Sequence, residues 1–201
     1  KTVSDYTDEE IARKISIHAS LSHLAWKDRK VNILDTPGSA DFVGEVIAAM
    51  RVAEVTLLAV GADVGVQIET IKLWRRMART EMPRFVFVNK MEKERADFDK
   101  AVADLKEKFK AAFVPVTIPI GAAADFKGII DLIDGKAYFD AGPVAIPDSE
   151  KDAYEAARAT LMEAAAEGDD KLIEKFFAEG TLSSDEIRRG VAQGMRAGKL
   201  V

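Results

Sequence analysis

The sequence has no cysteine, only two histidines and no long uncharged apolar run among its 201 residues. Without cysteine the chain can form neither a disulfide nor a thiolate metal site, and it has no cysteine nucleophile. His18 and His23 are too few for a metal cluster built from histidine. No stretch approaches the roughly 20 apolar residues that a membrane-spanning helix needs, so we expect no membrane partner. The absence of cysteine is typical of a reducing compartment and favours a cytoplasmic protein.

The chain also has fewer basic than acidic residues. Lysine and arginine number 29 against 34 aspartates and glutamates, which gives a net charge of −5. Because binding to a phosphate backbone needs a basic face, this balance argues against direct, sequence-specific DNA binding. The hydrophobic content of 48% is enough for one sizeable core or two small ones. The first residue is Lys1 rather than methionine, so we expect a piece of a longer protein.

The first half of the chain predicts strands that alternate with helices. Residues 1–14 are polar and uneven and favour a loop, whereas residues 15–26 alternate between apolar and polar side chains, as in a half-buried strand. The later strands are apolar throughout, which is typical of a parallel sheet covered on both faces. These strands are predicted over 31–34, 54–60 and 84–88, and helices over 42–50, 67–80 and 95–110.

The pattern changes near residue 112. Extended segments separated by glycine run to about residue 139, and a proline-containing linker follows. Ser183 and Glu186 form the capping-box pattern that starts a helix. We therefore predict an α/β core over 1–110 and a second, α+β unit over 111–201, with helices over 149–167, 169–178 and 184–198.

A first candidate motif, Asp35-Thr36-Pro37-Gly38, follows an apolar strand. A carboxylate in this place can hold Mg²⁺ through a water molecule, and the N–H of Gly38 can donate to a γ-phosphate. Turn chemistry alone accounts for a Pro-Gly pair after a strand about equally well.

A second candidate motif, Asn89-Lys90-Met91-Glu92, also follows an apolar strand. In GTPases an Asn/Lys/acid triplet reads guanine, because the carboxylate accepts hydrogen bonds from two N–H groups of the base. Taken alone, the segment is more simply a polar connection between a strand and a helix. The two motifs together, in this order and each after an apolar strand, favour a nucleotide site.

These residues resemble the G domain of elongation factor G. After the first motif the family has an Asp-Phe pair, matched by Asp41-Phe42, then a Gly-Val-Gln stretch, matched by residues 65–67, and Pro-Arg before the guanine-reading strand, matched by Pro83-Arg84. The family's switch I ends in Arg-Gly-Ile-Thr-Ile, and residues 13–17 read Arg-Lys-Ile-Ser-Ile. The segment VPVTIPIGAAADFKGIIDLIDGKAYF resembles the insert that elongation factor G carries in its G domain.

The resemblance implies a P-loop NTPase-type α/β G domain with a mostly parallel sheet, its phosphate-loop strand missing, plus an α+β insert subdomain. It implies GTP or GDP and Mg²⁺ as cofactors, and GTP hydrolysis on the ribosome by the intact parent protein. Ser16 takes the position of the family's Mg²⁺-binding threonine and would share the metal with Asp35. The remaining nucleotide contacts fall on two groups of residues: Thr36, Pro37 and Gly38, and Asn89, Lys90 and Glu92.

The chain departs from the family pattern in several places. It has no G-x-x-x-x-G-K-[ST] phosphate loop, so we expect the isolated chain to be inactive as a GTPase. Ser39 stands at the position of the family's catalytic histidine, and Glu92 replaces the guanine-reading aspartate. An alternative function is therefore a G-like binding module that does not hydrolyse its nucleotide. A third possibility, a P-loop enzyme that uses ATP, is weakened by the Asn-Lys-Met-Glu motif.

Overall fold

The computed structural model describes residues 3–201. The chain divides into two compact units, one ending at Thr56 and the other spanning Leu57–Val201. This division does not test the predicted boundary between residues 110 and 111, which stays a prediction. Within residues 3–201, no helix is both long enough and apolar enough to cross a membrane.

The first unit begins with a short helix that the sequence interpretation missed. Helix α1 spans Asp8–Arg13, inside the segment predicted as a loop. Thr7 and Glu10 form a reciprocal capping box at its start, and Lys14 ends it in the left-handed conformation at φ 56°. The helix is only 6 residues long, which is too short for an apolar periodicity to show in the sequence.

A β-hairpin follows, and it starts later than predicted. Strand β1 spans Ser20–Trp26 and strand β2 spans Arg29–Asp35. Lys27 and Asp28 both have positive φ, as the tight turn of a two-residue hairpin requires. The predicted strand over 15–26 is therefore wrong for its first residues, because the amides of residues 17–19 bond to glutamate carboxylates instead of a strand. A 3₁₀ turn at Ala40–Phe42 then leads into helix α2, Val43–Met50.

The second unit contains most of the regular elements, and most of them lie close to their predicted positions. Its helices and strands are β3 Thr56–Gly61, α3 Ile68–Arg79, β4 Arg84–Asn89, α4 Phe98–Phe109, β5 Thr117–Ile120, β6 Gly128–Asp131, β7 Lys136–Phe139, β8 Gly142–Val144, α5 Lys151–Ala166, α6 Asp170–Glu179 and α7 Ser184–Arg196. The first residue of β3 is also the last residue of the first unit. The predicted linker after residue 139 is wrong in part, because residues 142–144 form an edge strand.

The strand pairings do not confirm a mostly parallel sheet. β1 pairs with β2 in antiparallel register, and β5, β6, β7 and β8 form an antiparallel four-stranded sheet in that order. β3 and β4 lie side by side in a separate two-stranded sheet. Short turns join the antiparallel neighbours, and a connection of that length cannot return the chain for parallel pairing. The alternation of strands and helices agrees with the prediction, whereas the mostly parallel sheet of the core stays a prediction.

The four-stranded sheet and the last three helices share one hydrophobic core. Ile130, Leu132, Leu161 and Ile187 are completely buried in it. Helices α5 and α7 pack at close range, because Gly190 on α7 brings its backbone against the carbonyl of Ala165. This arrangement of strands followed by helices agrees with the α+β organisation predicted for the end of the chain.

Candidate functional site

The Asp35–Gly38 segment leaves the end of β2 and turns into the 3₁₀ turn. Asp35 is the last residue of the strand, opposite Ser20, and it is exposed. Pro37 is buried and Thr36 is half-buried, so these two residues fix the turn while Asp35 and Gly38 face solvent. A Cβ atom added to Gly38 would meet nothing within 4 Å. Packing among the described residues therefore gives no reason for a glycine at this position.

Ser39 acts as the cap of the 3₁₀ turn. Its hydroxyl oxygen accepts from the N–H of Asp41 at 3.4 Å, and its hydroxyl lies 3.5 Å from the Asp41 carboxylate. Both residues are exposed. The side chain that stands at the family's catalytic position thus makes local contacts with its own turn.

Ser16, the predicted metal ligand, lies after helix α1. Its hydroxyl donates to Oδ1 of Asp5 at 2.7 Å. Within residues 3–201, no group of three or more His, Asp or Glu side chains is placed to hold a metal ion. The oxygen donors of Ser16 and Asp35 suit Mg²⁺, which usually binds through one or two protein ligands together with water and substrate phosphates. The residues present therefore fit a magnesium ion that completes its shell with nucleotide and water.

Glu10 is the functional candidate that the sequence interpretation missed. Its side chain is completely buried, and its carboxylate accepts five hydrogen bonds from the chain on either side of it. The backbone N–H groups of His18 and Ile17, followed by the Thr7 contacts, lower the pKa of Glu10 to about 2. The Thr-x-x-Glu pattern at Thr7 is a capping-box signal that could have located α1 from the sequence.

The Asn89–Glu92 segment begins at the end of β4 and contains one buried residue among three exposed ones. Met91 is buried in a small cluster with Ala62 and Ala96, whereas Asn89, Lys90 and Glu92 are exposed. The carbonyl of Asn89 accepts from the N–H of Ala62 at 2.8 Å, which ties the motif to the end of β3.

Lys90 turns the chain at this point. Its φ is 61°, in the left-handed region that side chains other than glycine and asparagine seldom adopt. Its N–H donates to Oδ1 of Asn89 at 2.8 Å, and its carbonyl accepts from the N–H of Lys93 at 3.1 Å. A strained backbone that the surroundings hold in place is frequent at ligand sites. The three polar side chains of the motif are thus presented to solvent by a fixed turn.

Comparison with known proteins identifies the family. The sequence profile described as "Elongation factor Tu GTP binding domain" matches residues 1–181. The chain belongs to this family of GTP-binding domains. A crystal structure of a protein from Thermus thermophilus matches with a TM-score of 0.88 and 28% sequence identity, covering 100% of this chain and 31% of that one. The chain thus spans about a third of the length of that protein.

Membership of this family confirms the predicted type of domain and its general fold. The chain is a G domain with the α/β P-loop GTPase fold of that family, which is described as one of GTP-binding domains. The predicted roles of individual residues, from Ser16 to Glu92, stay predictions.

Proposed function

We propose that this G domain binds GTP and GDP with Mg²⁺ and serves an elongation factor G-like protein that hydrolyses GTP on ribosomes in the cytoplasm. The observation that carries the proposal is the Asn89–Glu92 turn, whose three polar side chains are exposed while Met91 anchors it. The elongation factor G-like pattern at Asp41-Phe42 and Pro83-Arg84, and the insert-like sequence after residue 110, support the narrower assignment.

In this proposal the Asn89–Glu92 turn selects guanine. The Glu92 carboxylate accepts from N–H groups of the base, which adenine does not offer in the same pattern. The methylene stem of Lys90 covers the face of the base, since a lysine side chain is apolar along most of its length. Asn89 holds the turn in shape, because its side-chain oxygen accepts from the N–H of Lys90.

We assign the contacts with phosphate and Mg²⁺ to Ser16 and to the Asp35–Gly38 segment. Asp35 and the hydroxyl of Ser16 would hold Mg²⁺, and the backbone of Gly38 would donate to the terminal phosphate. Bound Mg²⁺ neutralises negative charge on the phosphate oxygens. Thr36 and Pro37 position these groups, because the buried Pro37 fixes the turn from which Gly38 projects.

Hydrolysis requires a group that orients the attacking water, and Ser39 is the proposed residue. A serine hydroxyl can accept a hydrogen bond from water, but it lacks the basicity of an imidazole near pH 7. The contacts of Ser39 with Asp41 favour a second candidate function, a G-like module that binds nucleotide without turnover.

Nucleotide affinity of the natural full-length protein tests the proposal. We expect GDP to bind at least about tenfold more tightly than ADP, and Lys90→Ala to weaken GDP binding by about tenfold, equivalent to roughly 1.4 kcal/mol. Lys93→Ala is the matched control, because Lys93 is an exposed lysine in the same turn. Equal affinities for GDP and ADP, or equal effects of the two variants, would contradict the proposed base recognition.

A hydrolysis assay separates the two candidate functions. Single-turnover measurement of GTP cleavage by the full-length protein, with and without ribosomes, should show stimulation by ribosomes if the domain serves a translational GTPase. Tight GTP binding without any cleavage would instead favour the binding module.

A further inference from the structure

A completely buried carboxylate joins the two ends of the segment that carries Ser16. Oε2 of Glu10 accepts from the N–H of Tyr6 at 3.3 Å, from the N–H of Thr7 at 3.1 Å and from the Thr7 hydroxyl at 2.8 Å. Oε1 accepts from the N–H groups of Ile17 and His18, both at 3.0 Å. The two oxygens thus bind different parts of the chain, one before α1 and one after it.

Helix capping explains only half of this arrangement. A capping box needs the Glu10 side chain to reach the N–H of Thr7, which Oε2 does. The contacts of Oε1 lie seven and eight residues further along the chain and contribute nothing to the start of α1. They satisfy two amides in a segment that precedes the start of β1 at Ser20. The second oxygen therefore sets the path of the chain after the helix.

The chemistry of the contacts requires an ionised carboxylate. All five groups around Glu10 are donors, and only a carboxylate offers two oxygens that accept without carrying a proton. A glutamine of the same size would direct its NH₂ group at one of the two sets of donors. The carboxylate is buried and its hydrogen bonds are partly buried, so water replaces a lost acceptor only in part.

The position of Ser16 follows from this arrangement. Its hydroxyl donates to Asp5 at 2.7 Å, so the residues just before α1 and just after it lie side by side. Glu10 fixes the neighbours of both partners, Tyr6 on one side and Ile17 on the other. The direction of the Ser16 side chain is thereby coupled to a carboxylate that does not touch it.

We propose that Glu10 is a positioning residue, which holds the backbone around Ser16 in the conformation needed for Mg²⁺-dependent nucleotide binding. This inference rests on the proposed function, because it takes Ser16 as a magnesium ligand. Glu10 acts through the amides of Ile17 and His18 and has no contact with metal or nucleotide itself.

The test compares Glu10→Gln with Glu9→Gln in the natural full-length protein. Both variants remove one negative charge from the same helix, but Glu9 is exposed. Hydrogen exchange without nucleotide should show the amides of Ile17 and His18 exchanging about tenfold to a hundredfold faster in Glu10→Gln only, as expected for the loss of a hydrogen bond to a charged group. The Mg²⁺ concentration for half-maximal GTP binding should rise about tenfold in Glu10→Gln, and saturating Mg²⁺ should restore binding.

Restoration by Mg²⁺ distinguishes positioning from general loss of structure, which added metal would not repair. If Glu10→Gln does not fold, Thr7→Val removes one of the five donors and should give smaller changes of the same kind. If the wild-type protein binds GTP but Glu10→Gln matches Glu9→Gln in exchange or in Mg²⁺ requirement, this inference is overturned and the proposed function stands. If the wild-type protein binds no guanine nucleotide, both are overturned.

Discussion

Replacing Gly190 with alanine should separate helices α5 and α7. A Cβ atom at this position would lie 2.1 Å from the carbonyl oxygen of Ala165 and 2.7 Å from its carbonyl carbon. Carbon and oxygen atoms that are not bonded do not approach closer than about 3 Å, and both of the obstructing atoms belong to the backbone. No side-chain rotation can relieve the clash, so the helices must move apart by about 1 Å.

The expected loss of stability is the cost of overpacking minus the gain in helix propensity. Overpacking in a well-packed core costs about 1–3 kcal/mol, and a backbone obstruction places this site at the upper end. The movement would also loosen the contacts of Leu161 and Ile187, which are completely buried in the same core. Alanine gains about 1 kcal/mol over glycine inside a helix. We therefore expect Gly190→Ala to lower the free energy of unfolding around α7 by about 2 kcal/mol.

Native-state hydrogen exchange measures this effect where it occurs. Peptides from α5 and α7 should exchange about thirtyfold faster in Gly190→Ala, the factor that corresponds to about 2 kcal/mol. Gly44→Ala is the control, because Gly44 is also helical but a Cβ added there would meet nothing within 4 Å. That variant should slow exchange in α2, in line with the helix propensity of alanine. Unchanged exchange in α5 and α7 of Gly190→Ala would refute the close approach of the helices.

The other predictions concern the site and the charges. Lys14→Gly should stabilise the end of α1 by up to about 1 kcal/mol, because Lys14 has φ 56° and glycine adopts that conformation freely. Hydrogen exchange measures this change, and faster exchange of the α1 amides in the variant would contradict the prediction. Ser39→His should raise ribosome-stimulated GTP cleavage by the full-length protein by up to about a hundredfold, and an unchanged rate would mean that another group orients the water. Glu92→Asp should tighten GDP binding by about tenfold with little effect on ADP, because the shorter side chain lets both hydrogen bonds to guanine form without strain. An unchanged affinity for GDP would show that the backbone already suits the glutamate side chain. The Lys175 side chain and the Ser183 contacts lower the pKa of Glu186 to about 2. The stability that this carboxylate contributes is therefore complete above pH 4.5 and is lost as the pH falls toward 2. Between pH 6 and pH 2.5, the free energy of unfolding measured with denaturant should depend less on pH for Glu186→Gln than for the wild type, and an equal dependence would contradict the assignment.

The sequence predicted the helices and strands of the second unit well, because several kinds of signal agree there. Helix α7 combines an amphipathic pattern with a capping box, and the structure confirms that Ser183 and Glu186 bond reciprocally. Helix α3 lies within one residue of its predicted limits, with Trp74 and Met77 buried on one face. Where periodicity and end signals coincide, local structure is determined by local sequence.

Residues 3–19 could not be predicted in the same way, because several of their backbone amides, on both sides of α1, bond to side chains. The N–H groups of Ile17 and His18 bond to Glu10, and the N–H of Ala19 bonds to Glu45 at 2.8 Å. The alternation of apolar residues from Ile15 to Leu21 imitates a strand, but no strand pairs with its first half. A hydrogen bond between distant side chain and backbone leaves no periodic pattern in a sequence. The metal role of Ser16 could be proposed only by resemblance, whereas the roles of Asp35 and Gly38 were also suggested by their place after an apolar strand.

The Asn89–Glu92 turn separates an anchoring residue from exposed residues that are free to contact a ligand. The left-handed Lys90 reverses the direction of the chain, so that consecutive residues no longer alternate as they do along β4. As a result Asn89 and Lys90 are both exposed, and the next residue, Met91, enters the apolar cluster with Ala62. The third position of the motif therefore needs only an apolar side chain that fills this space, whereas in the proposed function the chemistry of the other three positions is fixed by the base that they recognise. A glutamate at position 92 changes the length of the recognising arm and leaves the anchor intact, so its consequence should appear in the choice of base and not in the stability of the turn.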